Sequence, residues 1–378
     1  MFEFSEEQEA FRRVVREFAE AEIAPHAEEW DREHTFPVEV VQQMGDLGLF
    51  GLPFPEEYGG GGAGLVELCI AIEEIARVDS SPAITLEAGV GLGSNPIYHF
   101  GTEAQKARWL PDLVAGRALA AFGLTEPEAG SDAGATRTKA ELDGGEWVIN
   151  GEKAFITNSG TPITSLVTVT ARTGPGEISA IIVPAGTPGL AVAPPYRKMG
   201  WHASDTRGLH FDDCRVPVEN LLGERGRGFR EFLSILDDGR VAIAAMAVGV
   251  IQGCLDHSVA YAGERQAFGR PIGSNQGVAF KCADMAVDLE AARLLTYRAA
   301  ALRDAGKPFV KEAAIAKLFS SEAAVDATRQ ATQIFGGYGY VDETPVSRFY
   351  RDAKVLEIGE GTSEIQRIVI GRQLGLPV

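Results

Sequence analysis

Arg351-Asp352-Ala353-Lys354-Val355-Leu356-Glu357-Ile358-Gly359-Glu360-Gly361-Thr362-Ser363-Glu364-Ile365-Gln366-Arg367 places a carboxylate between two glycines, directly ahead of an amphipathic helix. The flanking glycines free the backbone and leave no neighbouring side chain to crowd a ligand approaching Glu360. Ser363 and Gln366 have the S-x-x-Q spacing of a capping box, with Ile365, Ile368, Val369 and Leu374 as the apolar stripe of the helix it starts. A Glu on this turn lies beside the unpaired N–H groups and positive dipole end of that helix. Such a place suits a base working next to an anionic group. It equally suits a carboxylate that does nothing more than complement the dipole.

Outward from this turn, the preceding chain is helical back to Phe229, with helices expected over Phe229–Phe268, Gln276–Ala305 and Pro308–Phe335. Their length, Ala-rich composition and short connections suit an antiparallel bundle. Leu236-Asp237-Asp238-Gly239-Arg240 is read as the opening of the long Ala-rich helix, with Asp237 as its N-cap. Between about Leu119 and Arg227 the period changes to short β-rich runs at Trp147–Asn150, Ser165–Ala171, Ile178–Val183, Leu190–Ala193 and Gly208–Phe211. Strands without intervening helices predict a compact antiparallel barrel or sandwich. From Ser5 to Gly116 the pattern is helical again, with capping signals at Ser5/Gln8 and Thr102 and a stop or turn at Pro25. The fold class expected is therefore α+β in three domains: helical 1–118, β 119–227 and a helical bundle 228–378. Gly59–Gly64 formally matches G-x-G-x-x-G, but no buried strand precedes it; it reads as a flexible helix–helix loop, and Gly223–Gly228 as a linker.

The 378 residues exceed one ordinary core, and 45% apolar with 23% charged residues is the balance of a soluble globular chain. A formal charge of −18 argues against a general nucleic-acid or membrane-surface binder. Cys69, Cys214, Cys254 and Cys282 are scattered without a C-x-x-C pair and read as reduced core thiols. The six histidines lack ligand spacing, so no metal site is expected. Met1–Glu7 is acidic, without the basic start of a signal or transit peptide, and the longest apolar run, Val241–Ile251, is too short to span a membrane. A cytoplasmic protein is expected.

Five segments occur in order: Thr125-Glu126-Pro127-Glu128-Ala129-Gly130-Ser131-Asp132, Phe155-Ile156-Thr157-Asn158, Arg265-Gln266-Ala267-Phe268-Gly269, Gln333-Ile334-Phe335-Gly336-Gly337-Tyr338-Gly339 and Glu360-Gly361-Thr362-Ser363-Glu364-Ile365-Gln366-Arg367. Together they resemble the acyl-CoA dehydrogenase family, flavoenzymes that desaturate acyl-CoA thioesters, and the resemblance spans essentially the whole chain. It implies FAD held by Phe122, Leu124, Thr125, Gly130, Ser131, Phe155 and Thr157 in the middle domain. It further implies that Arg265, Phe268, Gln276, Gln333, Gly336, Gly337, Thr362 and Glu364 reach FAD, some of them across a subunit boundary in a homotetramer. Many members carry Trp where this chain has Phe155, so an aromatic face is kept and an indole N–H is absent. On the substrate side the resemblance places Ser131, Asp237, Arg240, Gly361 and Arg372 against the acyl-CoA.

By the same resemblance Glu360 removes the α-proton and the β-hydrogen leaves as hydride to the flavin, giving the trans-2-enoyl-CoA; electrons then pass to an electron-transfer flavoprotein. The thioester oxygen would take hydrogen bonds from the Glu360 N–H and a ribityl hydroxyl of FAD. Some relatives acting on branched acyl groups carry the base in the segment that here offers Gly239, which leaves Glu360. The two segments around Gly239 and Glu360 are most similar to short-chain members. Competing readings are a flavin oxidase or monooxygenase on the same scaffold, and a non-catalytic assembly protein. Glu360 and the flavin loops weigh against both.

Overall fold

The computed structural model of the chain describes residues 3–378. Seven helices come first: α1 (Glu6–Phe18), α2 (Ala27–Glu33), α3 (Val38–Asp46), α4 (Leu65–Ala76), α5 (Ser80–Glu87), α6 (Asn95–Phe100) and α7 (Glu103–Val114). Ser5 with Gln8, and Thr102 with Gln105, form reciprocal capping boxes that start α1 and α7. Pro25 lies in the turn between a π-helical end of α1, Ala19–Ile23, and α2. A second π-helical turn, Ala88–Ser94, follows Glu87 and leads into α6. The Gly59–Gly64 loop does join helical pieces, but it is not slack. Gly60, Gly61, Gly62 and Ala63 each donate their N–H back to carbonyls of residues 51–55.

The middle region forms one sheet of eight strands: β1 (Leu119–Gly123), β2 (Lys139–Asp143), β3 (Glu146–Thr157), β4 (Thr164–Gly174), β5 (Glu177–Pro184), β6 (Leu190–Val192), β7 (Thr206–Pro217) and β8 (Leu221–Leu222). The order is β6-β7-β3-β2-β4-β5-β8, with β1 beside β4. Pairing is mainly antiparallel, yet β1 and β2 run parallel to β4, so the sheet is mixed. Trp147, Ile149, Val169, Ile181, Val183 and Phe211 fill its own core. β1 and β2 lack a legible alternation: the first is buried along its whole length and the second is mostly exposed.

The C-terminal region comprises α8 (Gly228–Glu264), a small hairpin of β9 (Gln266–Ala267) and β10 (Arg270–Pro271), α9 (Gln276–Asp304), α10 (Val310–Phe335), α11 (Pro345–Ala353) and α12 (Ser363–Gln373). The apolar run Val241–Ile251 is the middle of α8, buried on every side against α4, α9 and α10. Because α8 starts at Gly228, Asp237 is an interior helical residue and not the N-cap expected for it. Arg265–Arg270 is likewise a hairpin with a two-residue turn rather than a bare helix–helix corner.

The three regions are tied together just upstream of the Glu360 turn. Asp352, at the end of α11, accepts the Trp201 N–H from the middle region at 2.7 Å and the Ser80 hydroxyl from α5 at 2.9 Å. Arg351 pairs with Asp31 of α2, which also faces His202. Burial raises Asp352 to about 6, a cost tolerated because its oxygens satisfy two otherwise orphaned donors. This buried cross-tie fixes where the next ten residues start.

Candidate active site

Glu360 follows the 3₁₀ turn Lys354–Glu357 and has φ of 53°, a left-handed conformation that costs a non-glycine residue about 1–2 kcal/mol. Gly361 follows at φ 94°, which glycine adopts without that penalty. Thr362, not Ser363, caps α12: its hydroxyl accepts the Ile365 N–H. Gln366 is not a capping partner either. Its buried amide donates to the Glu360 carbonyl at 3.3 Å and the Gly361 carbonyl at 2.8 Å. From α10 the buried Lys317 ammonium donates to the same Gly361 carbonyl at 2.8 Å.

The turn exposes part of its backbone while sealing the Glu360 carboxylate, both of whose oxygens are buried. Burial raises the carboxyl to about 7, partly opposed by Glu87, Lys317 and Arg240. Glu87, itself fully buried, is pushed well above the usual carboxylate range by burial and then by Glu360. The two carboxyls face each other, and burial raises both above the usual carboxylate range. Gly239 of α8 closes the remaining side. A methyl group there would lie 1.9 Å from a Glu360 carboxylate oxygen, so the carboxylate rests where any side chain would be.

Among the substrate-side candidates, Arg240 is buried and paired with Asp237 one helical turn before it. Both lie on α8 beside Gly239, so the structure brings them to Glu360. Arg372 is exposed and its Nε donates to the Val378 carbonyl at 2.7 Å. Ser131 and Gly130 lie exposed on the loop after β1.

That loop is held from beneath by a buried ion pair absent from the sequence-based reading. Lys153 of β3 donates to Glu126 at 2.8 Å and to the Leu124 carbonyl at 3.2 Å, while the Arg137 and Thr138 N–H groups complete the Glu126 carboxylate. Phe122 and Leu124 are buried, and the Thr125 carbonyl accepts the Ala154 N–H at 2.9 Å. The strand does not continue regularly past Ala154. Register shifts between Lys153 and Ile156, and Phe155 takes φ of 60°. Its ring is thereby turned outward, 66% exposed, against Tyr196 at 5.0 Å, with Thr157 half-buried two residues on.

The remaining candidates gather at the far ends of α8 and α10. Phe268 and Gly269 have φ of 52° and 78°, the paired left-handed residues of a type I′ turn. A Phe is a costly occupant of that position, and its side chain is entirely exposed. Arg265 makes no ion pair among the described residues and lies 5.9 Å from the Tyr338 ring. Gln276, Gln333, Gly336 and Gly337 are exposed around it, and the two glycines meet nothing within 4 Å of a would-be Cβ. Thr362 and Glu364 sit at the start of α12.

Comparison with known proteins bears directly on these features. Acyl-CoA dehydrogenase family models match the chain three times: the N-terminal domain over residues 5–117, the middle domain over 121–214 and the C-terminal domain over 226–375. The chain belongs to the acyl-CoA dehydrogenase family. A probable acyl-CoA dehydrogenase of Bacillus subtilis, YngJ, is 52% identical over 376 residues, covering 99% of each chain. Butyryl-CoA dehydrogenase from Megasphaera elsdenii superposes with a TM-score of 0.96 at 43% identity, covering 99% of both. A chain from a structure of the electron transferring flavoprotein of Acidaminococcus fermentans superposes equally well, TM-score 0.96 at 44% identity over 99% of both. This acyl-CoA dehydrogenase is an FAD-dependent enzyme that oxidises an acyl-CoA thioester to the enoyl-CoA.

The residues present fit FAD. A planar heterocycle finds an outward aromatic face at Phe155 beside the loop that carries Thr125 and Ser131. A pyrophosphate finds Arg265, a guanidinium that makes no ion pair among the described residues. What the sequence did not disclose was the shell around the base. Glu87 and Lys317 each lie in otherwise apolar or small-residue helical stretches, where a lone charge on the buried face was the available signal.

Proposed function

We propose that Glu360 is the α-proton base of the dehydrogenation. The observation that carries this reading is a carboxylate sealed from water, held on a left-handed turn and raised to about 7, next to Arg240 and opposite a glycine that leaves it room. A base with a pKa near the working pH combines availability with driving force. An acyl chain over the site completes the exclusion of water that the helices begin. The Glu360 N–H, which takes no acceptor among the described residues, points to a donor for the thioester oxygen as charge develops there. FAD, when bound, supplies the hydride acceptor. Ser131, Asp237, Arg240, Gly361 and Arg372 line the substrate side; Phe122, Leu124, Thr125, Gly130, Ser131, Phe155 and Thr157 hold the flavin in the same subunit. Arg265, Phe268, Gln276, Gln333, Gly336, Gly337, Thr362 and Glu364 form the remaining cofactor contacts.

The enzyme is a homotetramer built as a dimer of dimers, with domains at 1–118, 119–227 and 228–378. Support comes from the exposed Phe268 and Tyr340 and from Phe280, Val287 and Leu294, which lie seven residues apart on α9 and are all exposed. Such a heptad seam of apolar side chains suits a partner helix. The acceptor of the electrons is an electron-transfer flavoprotein and the acyl group is short, a reading supported by the likeness to butyryl-CoA dehydrogenase. The four free thiols, three of them buried, support a reducing compartment, the cytoplasm. A panel of acyl-CoA thioesters with a dye acceptor, run with and without oxygen, tests these assignments. Four-carbon substrates should give the highest kcat/KM, with turnover independent of oxygen. Turnover that requires oxygen would transfer the protein to the oxidases of this scaffold.

A further inference from the structure

We propose that Lys317 is a positioning residue for Glu360, holding the catalytic turn in its left-handed shape and keeping the base ionisable. The inference rests on Glu360 being the base. Lys317 lies on α10, an Ala-rich helix packed against α8, and its ammonium is fully buried. A buried lysine must be satisfied to remain charged. Its Nζ donates at 2.8 Å to the Gly361 carbonyl, the very group that also takes the Gln366 amide at 2.8 Å. Two buried donors from two different helices thus converge on one carbonyl of the turn, and Gln366 reaches the Glu360 carbonyl as well.

That convergence has a conformational and an electrostatic consequence. Glu360 and Gly361 have φ of 53° and 94°, and a non-glycine residue persists there only when its surroundings over-determine it. The charge-assisted bond from Lys317 is one of the contacts that does so. The second consequence concerns the carboxylate. Three elements face it: Glu87 at the end of α5, Gly239 and the Arg240–Asp237 pair on α8, and Lys317 on α10; Glu357 on the approaching 3₁₀ turn and Glu364 at the α12 start act on Lys317. Of these, Lys317 and Arg240 are the cations. Arg240 already shares its charge with Asp237. Lys317 meets a neutral carbonyl, so its charge is left to act on Glu360. Burial lowers the Lys317 ammonium to about 8, with Glu360 the first group opposing that fall.

Removing the cation therefore disfavours ionised Glu360 and loosens its turn together. The test is the pH dependence of anaerobic flavin bleaching by acyl-CoA in the FAD-loaded enzyme, for wild type, Lys317→Met and Lys317→Arg, with FAD content and the Kd of a non-reducing thioether analogue measured alongside. In Lys317→Met the acid-side midpoint should rise by roughly one pH unit or more. The limiting rate at neutral pH should fall about tenfold while analogue binding changes little. Lys317→Arg should keep the wild-type midpoint. A midpoint unmoved in Lys317→Met, or a rate reduced equally at every pH, would leave Lys317 a packing residue and overturn the proposal. If Lys317→Met does not retain FAD, Lys317→Gln is read in the same way. Loss of FAD in both uncharged variants but not in Lys317→Arg would assign the residue to folding alone, again against the proposal. A failure of the base assignment looks different: Glu360→Gln would then bleach at a near wild-type rate whatever stands at 317.

Discussion

Two buried glutamates in this enzyme have opposite surroundings. Glu126, under the flavin-side loop, receives Lys153 at 2.8 Å and the Arg137 and Thr138 N–H groups at 2.6 and 3.1 Å. Burial alone would raise its pKa, but Lys153 and these hydrogen bonds overcome it and hold Glu126 below the usual carboxylate range. Glu360 is sealed from water too, yet its nearest companion is another carboxyl, Glu87, and it settles at about 7. Burial is common to both; the partners decide the sign. A fully satisfied carboxylate is a rigid strut, whereas one left without donors retains an affinity for protons. The chain has placed the first kind where a loop must be stiff and the second where a C–H bond must break.

The strongest way to break this contrast is Glu360→Gln. It keeps size and hydrogen-bonding atoms but cannot take the proton. Flavin bleaching by substrate should fall by about 10⁴-fold, the upper end for a positioned acid–base group, and solvent exchange of the substrate α-hydrogen should vanish with it. FAD should stay bound. Bleaching within tenfold of wild type would send the search for the base to Asp237 or Asp238.

Lys153→Met attacks the other glutamate. Stripping one partner from a buried pair leaves Glu126 without its counter-charge, a loss of about 3–5 kcal/mol. The expected result is a lowered Tm with weakened FAD retention, and an unchanged acid limb of the pH–rate profile in whatever enzyme remains loaded. A moved limb would mean that the two sites are electrostatically linked after all.

Gly239→Ala is subtler. The added methyl would lie 1.9 Å from the resting carboxylate, so Glu360 must swing aside. A displacement of about 1 Å can cost on the order of 10²-fold in rate. Cofactor content and melting should stay close to wild type, and a crystal structure of the variant should show the carboxylate rotated away from α8.

The smallest effect sharpens the comparison through proton linkage. The folded pKa of Glu360, about 7, exceeds the ordinary 4.5, so as pH rises from about 4.5 to 7 the unfolded chain loses this proton first and stability declines. Glu360→Gln should therefore gain about 2 °C in Tm at pH 8 and nothing at pH 4.5. Glu126 has the depressed value, and its contribution is present above the unfolded pKa and fades as pH falls through the folded one. Glu126→Gln should accordingly lose Tm at pH 8 and lose less in acid. Identical pH trends in the two variants would contradict the difference in environment.

Much of this was open to reading from the residues. The α–β–α order, the long helices and the turn around Glu360 follow from periodicity and glycine placement. Gly239 was marked by the family resemblance, since its segment carries the base in some relatives. The errors have local causes. Thr362 and Ser363 are adjacent hydroxyl residues, and either can begin a helix; only the backbone geometry shows that Thr362 does. Asp237 resembles an N-cap because Asp favours caps, but the buried face of α8 extends the helix nine residues upstream of it. The strands β1 and β2 carry no period-2 signal, since one is wholly buried and the other mostly exposed. Glu87 and Lys317 were hidden for a different reason. Their importance lies in a meeting of α5, α8, α10 and the Glu360 turn, spread from residue 87 to residue 361, which no single window contains.

The π-helical turn Ala88–Ser94 gives that meeting an unexpected fragility. A π-turn holds an additional residue compared with the α-helix around it. Deleting one residue there would let the segment relax into α-helix with the flanking turns still in register. One further residue that is not bulged out, by contrast, would rotate everything on one side by about 100° relative to the other. Glu87 would then point away from Glu360 while every side chain remained in the sequence. Length in this segment, more than identity, is what keeps the two carboxyls face to face. A variant with one residue inserted between 88 and 94 should have a different active-site geometry even when each motif is intact.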